Sequence, residues 1–185
     1  ITRFEKGSQY PIYTRKKGNL EANEELLFDV NKEAEGFEYF QLGGLNISTN
    51  NNLVAFATDT VSRRQYTIRI KNLETGEIYS DEIKNTTGGS TWANDNKTLF
   101  YTKKDPQTLR SYKIFKHILG TDVSEDIEVF HEKDDTFGTF VTKTKSKKFI
   151  VIGSYNTVSS EYQVLEADNP NGELQMIQPR ERDLE

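Results

Sequence analysis

The sequence predicts an all-β fold built from repeated four-stranded antiparallel units, and three observations carry the prediction. Tyr66, Tyr112 and Tyr162 lie 46 and 50 residues apart, and Leu53, Leu99 and Phe149 repeat both intervals. Gly44, Gly89 and Gly138 follow at 45 and 49. Independent positions share such intervals when the surrounding segments are in register, which marks an internal repeat. Apolar residues are sparse at 34% while aromatics reach 11%, a mix that suits short strands joined by polar turns.

Each unit reads as four strand-length segments. Ahead of the first complete one, 10–15 and 25–29 look like the last two strands of an incomplete unit, and 31–36 can form one helical turn. The first full unit then runs 43–48, 53–58, 65–71 and 77–83. In its third segment Tyr66, Ile68 and Ile70 share one face, with Thr67, Arg69 and Lys71 on the other, the period-two alternation of a strand. Thr49-Asn50-Asn51-Asn52 and Glu74-Thr75-Gly76 supply turn-tolerant residues between segments. The second unit reads 88–92, 98–102, 111–118 and 126–132, with Asn94-Asp95-Asn96-Lys97 as its first turn. The third reads 139–144, 149–154, 161–166 and 173–177.

A four-stranded antiparallel repeat of about 40 to 50 residues is the pattern of a β-propeller blade. The expected division is a partial blade over 1–41, blades over 42–86, 87–136 and 137–183, and a cloning scar at 184–185. Three and a half blades fall short of the roughly four to eight that close a propeller. The chain is therefore expected to be an excised piece of a larger protein, with open blade faces and strand edges that favour self-association.

Residues at defined places bear on the kind of propeller. Trp92 is followed by Ala93 rather than Asp, against a WD repeat. Gly43-Gly44 and Gly88-Gly89 mimic a kelch glycine pair but precede the first strand, and the third unit has only Phe137-Gly138. A kelch- or WD-like scaffold for protein–protein interaction, with no catalytic domain attached, stays as the alternative reading.

Read together and in order, several runs resemble the propeller of the prolyl oligopeptidase family of serine peptidases. They are 26–34, Ser62-Arg63-Arg64-Gln65-Tyr66, Asn72-Leu73-Glu74-Thr75-Gly76, Trp92-Ala93-Asn94-Asp95, 117–121 and Glu132-Lys133-Asp134-Asp135. The resemblance implies a parent in which a seven-bladed propeller caps a C-terminal α/β-hydrolase domain holding a Ser, Asp and His triad. It implies cleavage of short basic peptides after Lys or Arg, with the propeller admitting small peptides and excluding folded proteins. This chain would be the first half of that filter.

The chain itself offers no catalytic constellation. A hydrolase nucleophile sits in Gly-x-Ser-x-Gly, and the nearest approach, Gly88-Gly89-Ser90-Thr91-Trp92, lacks the trailing glycine. His117 and His131 lie in strand-like segments without a paired nucleophile and read as ordinary sheet positions. Glu132, Asp134 and Asp135 read as a solvated acidic turn rather than a cation site, because the alternating oxygens of a calcium loop are absent. Two histidines with no cysteine disfavour zinc, and no P-loop or dinucleotide fingerprint occurs, so neither metal nor cofactor is expected. A net charge of −5 gives no nucleic-acid footprint. No apolar run approaches the roughly 20 residues of a membrane span. The lack of cysteine fits a reducing, cytoplasmic setting.

The charges of most interest are Arg63 and Arg64, in the loop between second and third strands of a blade. In a propeller that loop lies on the side of the connection into the next blade, where another domain can dock. A guanidinium there either meets a peptide carboxylate or an acidic group of the hydrolase domain, Arg64 being the first candidate, or pairs within the propeller. Tyr66, Tyr112 and Tyr162 are expected to pack between neighbouring blades with their hydroxyls on polar partners.

Overall fold

The computed structural model describes residues 1–181 and 183. Its strands are β1 (Thr2–Arg3), β2 (Ile12–Lys16), β3 (Glu24–Asp29), β4 (Gln41–Ile47), β5 (Leu53–Asp59), β6 (Tyr66–Asn72), β7 (Ile83–Trp92), β8 (Thr98–Lys104), β9 (Ser111–Ile118), β10 (Ile127–His131), β11 (Gly138–Lys143), β12 (Phe149–Tyr155), β13 (Ser160–Glu166) and β14 (Gln175–Gln178). One helical turn, α1 (Val30–Glu33), follows β3, capped by the Asp29 carboxylate accepting from the Asn31 N–H. The expected scar at Leu184 and Glu185 lies outside the described residues.

The fold is all-β, a partial β-propeller of about three and a half antiparallel blades. β1, β2 and β3 form the leading partial unit, one short strand more than the expected pair. β4 to β10 run in chain order across one seven-stranded sheet, and β11 to β14 form a separate four-stranded one. The seven-stranded sheet arises because β7 serves two units. Its start lies opposite β6, with Ile83 facing Ile68, and its end lies opposite β8, with Trp92 facing Leu99. The fourth strand expected over 77–83 is reduced to a single bridge between Lys71 and Ile78 ahead of β7. Between them Asp81 turns its side chain inward and is buried.

Three apolar clusters lie between successive units. Leu27 and Phe28 of the leading unit meet Val54 and Phe56. Leu53, Ala55, Tyr66, Ile68 and Ile70 of the first unit meet Trp92, Leu99 and Tyr101 of the second. Phe100 and Ile114 of the second meet Val141, Ile150 and Ile152 of the third. Each fully buried side chain of this size contributes about 1.5–3 kcal/mol, so stacking of units rather than any single sheet holds the chain together.

The clusters correct one register. Leu53 faces the following unit, whereas Leu99 faces back toward the preceding one, and the two meet in one core. The counterparts of Leu99 are Val54 and Ile150, 45 residues before and 51 after. The first turns agree: Asn51, Asn96 and Lys147 hold left-handed φ of 64°, 56° and 60° at those intervals. The β8–β9 pairing shifts register at Lys103 and Lys104, between Leu99 and Tyr112, so the two sets of intervals are not in one phase.

Candidate domain-facing site

The loops between β5 and β6, β8 and β9, and β12 and β13 lie on the side of the chain where one unit crosses to the next. The first is folded around Asp59. Its carboxylate is fully buried and accepts from the N–H of Val61 at 2.9 Å and of Arg64 at 2.7 Å. Ser62 and Arg64 take left-handed φ of 59° and 53° to complete the turn, with the backbone N–H groups converging inward. The loop is also tied to the second unit. Lys104 Nζ donates to the Arg64 carbonyl at 2.8 Å, and Gln65 Nε2 donates to the Pro106 carbonyl at 3.1 Å.

Arg63 and Arg64 are exposed, and among the described residues neither guanidinium has an ion-pair partner. Burial, and then the nearby Arg64 cation, lower the Lys104 amine below its usual range, while Asp59 acts in the opposite sense. The same cation modestly opposes the rise of the Tyr66 phenol caused chiefly by burial and Asp59. A fixed loop thus presents unpartnered positive charge beside a half-buried amine.

The acidic turn has its cations within the chain. Arg180 donates to the buried Glu132 carboxylate at 2.7 Å, stands within 3.6 Å of Glu161, and stacks 3.8 Å from the centre of the Phe137 ring. Arg110 donates to the carbonyls of Asp134 and Phe137 at 2.8 and 3.0 Å and pairs with Asp135 at 3.2 Å. The segment read as a solvated turn is therefore a crossing between units pinned by two guanidinium groups. Among the described residues no group of three or more His, Cys, Asp or Glu could hold a metal ion.

His131 is exposed on β10 beside the Tyr112 ring. His117, read as an ordinary sheet position, is fully buried between the carboxylates of Asp81 and Asp126. The sequence carries no local signal for this pairing, because Asp81 lies 36 residues away. The tyrosine hydroxyls differ from expectation as well: none of the three has a hydrogen bond among the described residues. The Tyr66 ring lies instead against Gly43 and Gly88, where a Cβ would come within 2.9 and 3.2 Å of it. Tyr162 occupies the equivalent face of the third unit and lines an open hollow of about 500 Å³ with Phe140, Tyr155 and Ser159.

The family model described as prolyl oligopeptidase, N-terminal beta-propeller domain, matches residues 1–185. The chain belongs to the prolyl oligopeptidase family, as its N-terminal β-propeller. It is 40% identical over 199 residues to dipeptidyl aminopeptidase BI of Pseudoxanthomonas mexicana and 35% identical over 186 residues to protease 2 of Moraxella lacunata. These alignments cover 99% and 97% of this chain and 27% of each relative. The chain thus spans about a quarter of the length of the curated relatives it matches. Among solved structures, oligopeptidase B from Leishmania major superimposes with a TM-score of 0.88 at 31% identity, covering 98% of this chain and 26% of that one. Oligopeptidase B from Trypanosoma brucei gives 0.84 at 28%, covering 98% and 26%. Membership of the prolyl oligopeptidase family sets aside the WD and kelch readings. No helix among the described residues is long and apolar enough to cross a membrane.

Proposed function

We propose that this chain is the first part of a peptide-selecting cap on a serine oligopeptidase that cleaves short peptides after Lys or Arg. The catalytic Ser, Asp and His belong to an α/β-hydrolase domain outside this chain, and the chain alone turns over no substrate. Its working units are a partial blade over 1–41 and blades over 42–86, 87–136 and 137–183. The cap works by selection, admitting flexible peptides and shutting water and folded chains away from the triad. The absence of cysteine agrees with a cytoplasmic setting.

The observation that carries this reading to residue level is the exposed Arg63–Arg64 pair, held on an ordered loop without an ion-pair partner among the described residues. An unpaired guanidinium fork suits a carboxylate supplied from outside the propeller, either a peptide C-terminus or an acidic side chain of the hydrolase domain. Arg64 is assigned that contact, with Arg63 beside it. Steady-state kinetics of Arg64→Ala in the full-length protein, on Lys- and Arg-containing peptides with free or amidated C-termini, provides the test. A raised KM confined to free-carboxylate peptides points to substrate contact, and a uniform fall in kcat/KM points to domain docking. Unchanged kinetics on both sets removes Arg64 from the site, and failure to cleave after either Lys or Arg in the wild type removes the specificity.

A further inference from the structure

His117 on β9 lies at the seam between the first and second units, and all of its polar neighbours are charged or hydrogen-bonded. Its Nε2 is 2.8 Å from Asp81 Oδ1, in the connection between β6 and β7, and its Nδ1 is 2.6 Å from Asp126 Oδ1, just ahead of β10. Asp81 Oδ1 also accepts from the Gly120 N–H at 2.7 Å, and Asp126 Oδ2 accepts from the Tyr101 hydroxyl at 2.7 Å. Lys103 on β8 faces Asp126, its amine lowered mainly by burial and raised in part by that carboxylate. Beyond Asp81, the side chains of Glu82 and Asp122 line a hollow of about 510 Å³ that opens to solvent.

A neutral imidazole has one N–H, whereas two carboxylate oxygens here approach both ring nitrogens. With a single proton, one contact would set a nitrogen lone pair against an anionic oxygen. Each carboxylate also accepts a second hydrogen bond, from the Gly120 N–H or the Tyr101 hydroxyl, so neither has a proton to offer the ring in this arrangement. The geometry therefore calls for the imidazolium.

We propose that the His117 imidazolium is a pH-sensitive latch that fastens the first unit to the second through Asp81 and releases it as the pH rises. Loss of one proton leaves one N–H for two acceptors. Asp126 keeps it, because it lies on the same unit and is also held by Tyr101. Asp81 is freed, since its Oδ2 is already buried without a partner and a hollow open to solvent lies beside it. Burial disfavours the imidazolium, but the bonds from Asp126 and Asp81 outweigh it and hold His117 above the usual histidine range. A raised folded value means the latch contributes fully below the unfolded value of about 6.5 and is lost as pH climbs through the folded one. The inference does not depend on the peptidase reading.

The test combines ¹⁵N-histidine spectra with hydrogen exchange of the full-length protein at about pH 6 and about pH 9, corrected for intrinsic rates. In the wild type, a doubly protonated ring at the lower pH and an about tenfold or greater loss of protection over 78–84 at the higher one are expected. His117→Gln and Asp81→Asn should show low protection there at both pH values. A singly protonated wild-type ring at about pH 6, or wild-type protection unchanged between the two conditions, overturns the latch whether or not the variants fold.

Discussion

Lys143, at the end of β11, donates to the Trp92 carbonyl of β7 at 2.9 Å and so joins the third unit to the second. The same ammonium donates to Thr49 Oγ1 of the first unit at 3.0 Å and to the Asn94 side chain. Burial, reinforced by Lys147, lowers its proton affinity. One cation with three neutral acceptors thus ties three units together at the ends of their first strands.

Lys143→Met should accordingly cost about 2–3 kcal/mol, because it removes three donors and leaves a carbonyl and two side-chain acceptors poorly paired. Urea denaturation followed by Trp92 fluorescence measures this, and an unchanged midpoint would show that the ammonium is dispensable.

Two glycines should respond differently to alanine. At Gly44 a Cβ would stand 2.5 Å from the Gly88 carbonyl oxygen, a backbone atom that cannot step aside, so Gly44→Ala should cost about 3 kcal/mol. At Gly76 nothing lies within 4 Å and only the left-handed φ of 78° resists, so Gly76→Ala should cost about 1 kcal/mol. Thermal unfolding of the two variants side by side decides the order.

Glu132 is buried and relies on Arg180. Arg180→Ala should destabilise by about 3 kcal/mol through the stranded carboxylate, and Glu132→Gln introduced with it should restore a substantial part. A double-mutant cycle by chemical denaturation gives the coupling, and additivity of the two changes would contradict the assignment.

Asp95 makes the acid limb predictable. Burial raises its carboxyl, but the Thr98 hydroxyl at 2.6 Å and the N–H groups of Lys97 and Thr98 at 2.9 Å prevail and hold it below the usual range. A depressed folded value contributes stability above the unfolded value of about 3.9 and loses it as pH falls through the folded one. Asp95→Asn should therefore flatten the fall in melting temperature in that acid range, and an unchanged slope would place the sensitivity elsewhere.

Much of the architecture was legible from the chain. The segment expected over 111–118 is β9 residue for residue, and period-two alternation placed Tyr66, Ile68 and Ile70 together on the face that the structure buries. The leucine spacing misled because a strand's face changes with every residue. Leu53 lies two residues past the left-handed Asn51 and Leu99 three past Asn96, so the matching interval sets Leu99 on the opposite face. At the candidate site the Arg63–Arg64 loop was visible as sequence, but Asp59 as its organiser was not.

The sequence by itself determined the all-β class, the number of units and the family, because turn chemistry, alternation and ordered motif runs are local properties repeated along the chain. Only the tertiary structure decided that β7 serves two units, that Arg180 neutralises Glu132, and that His117 lies between Asp81 and Asp126. Those pairings join residues up to 48 positions apart. They form when stacked units exclude water and leave buried charges no partners but one another.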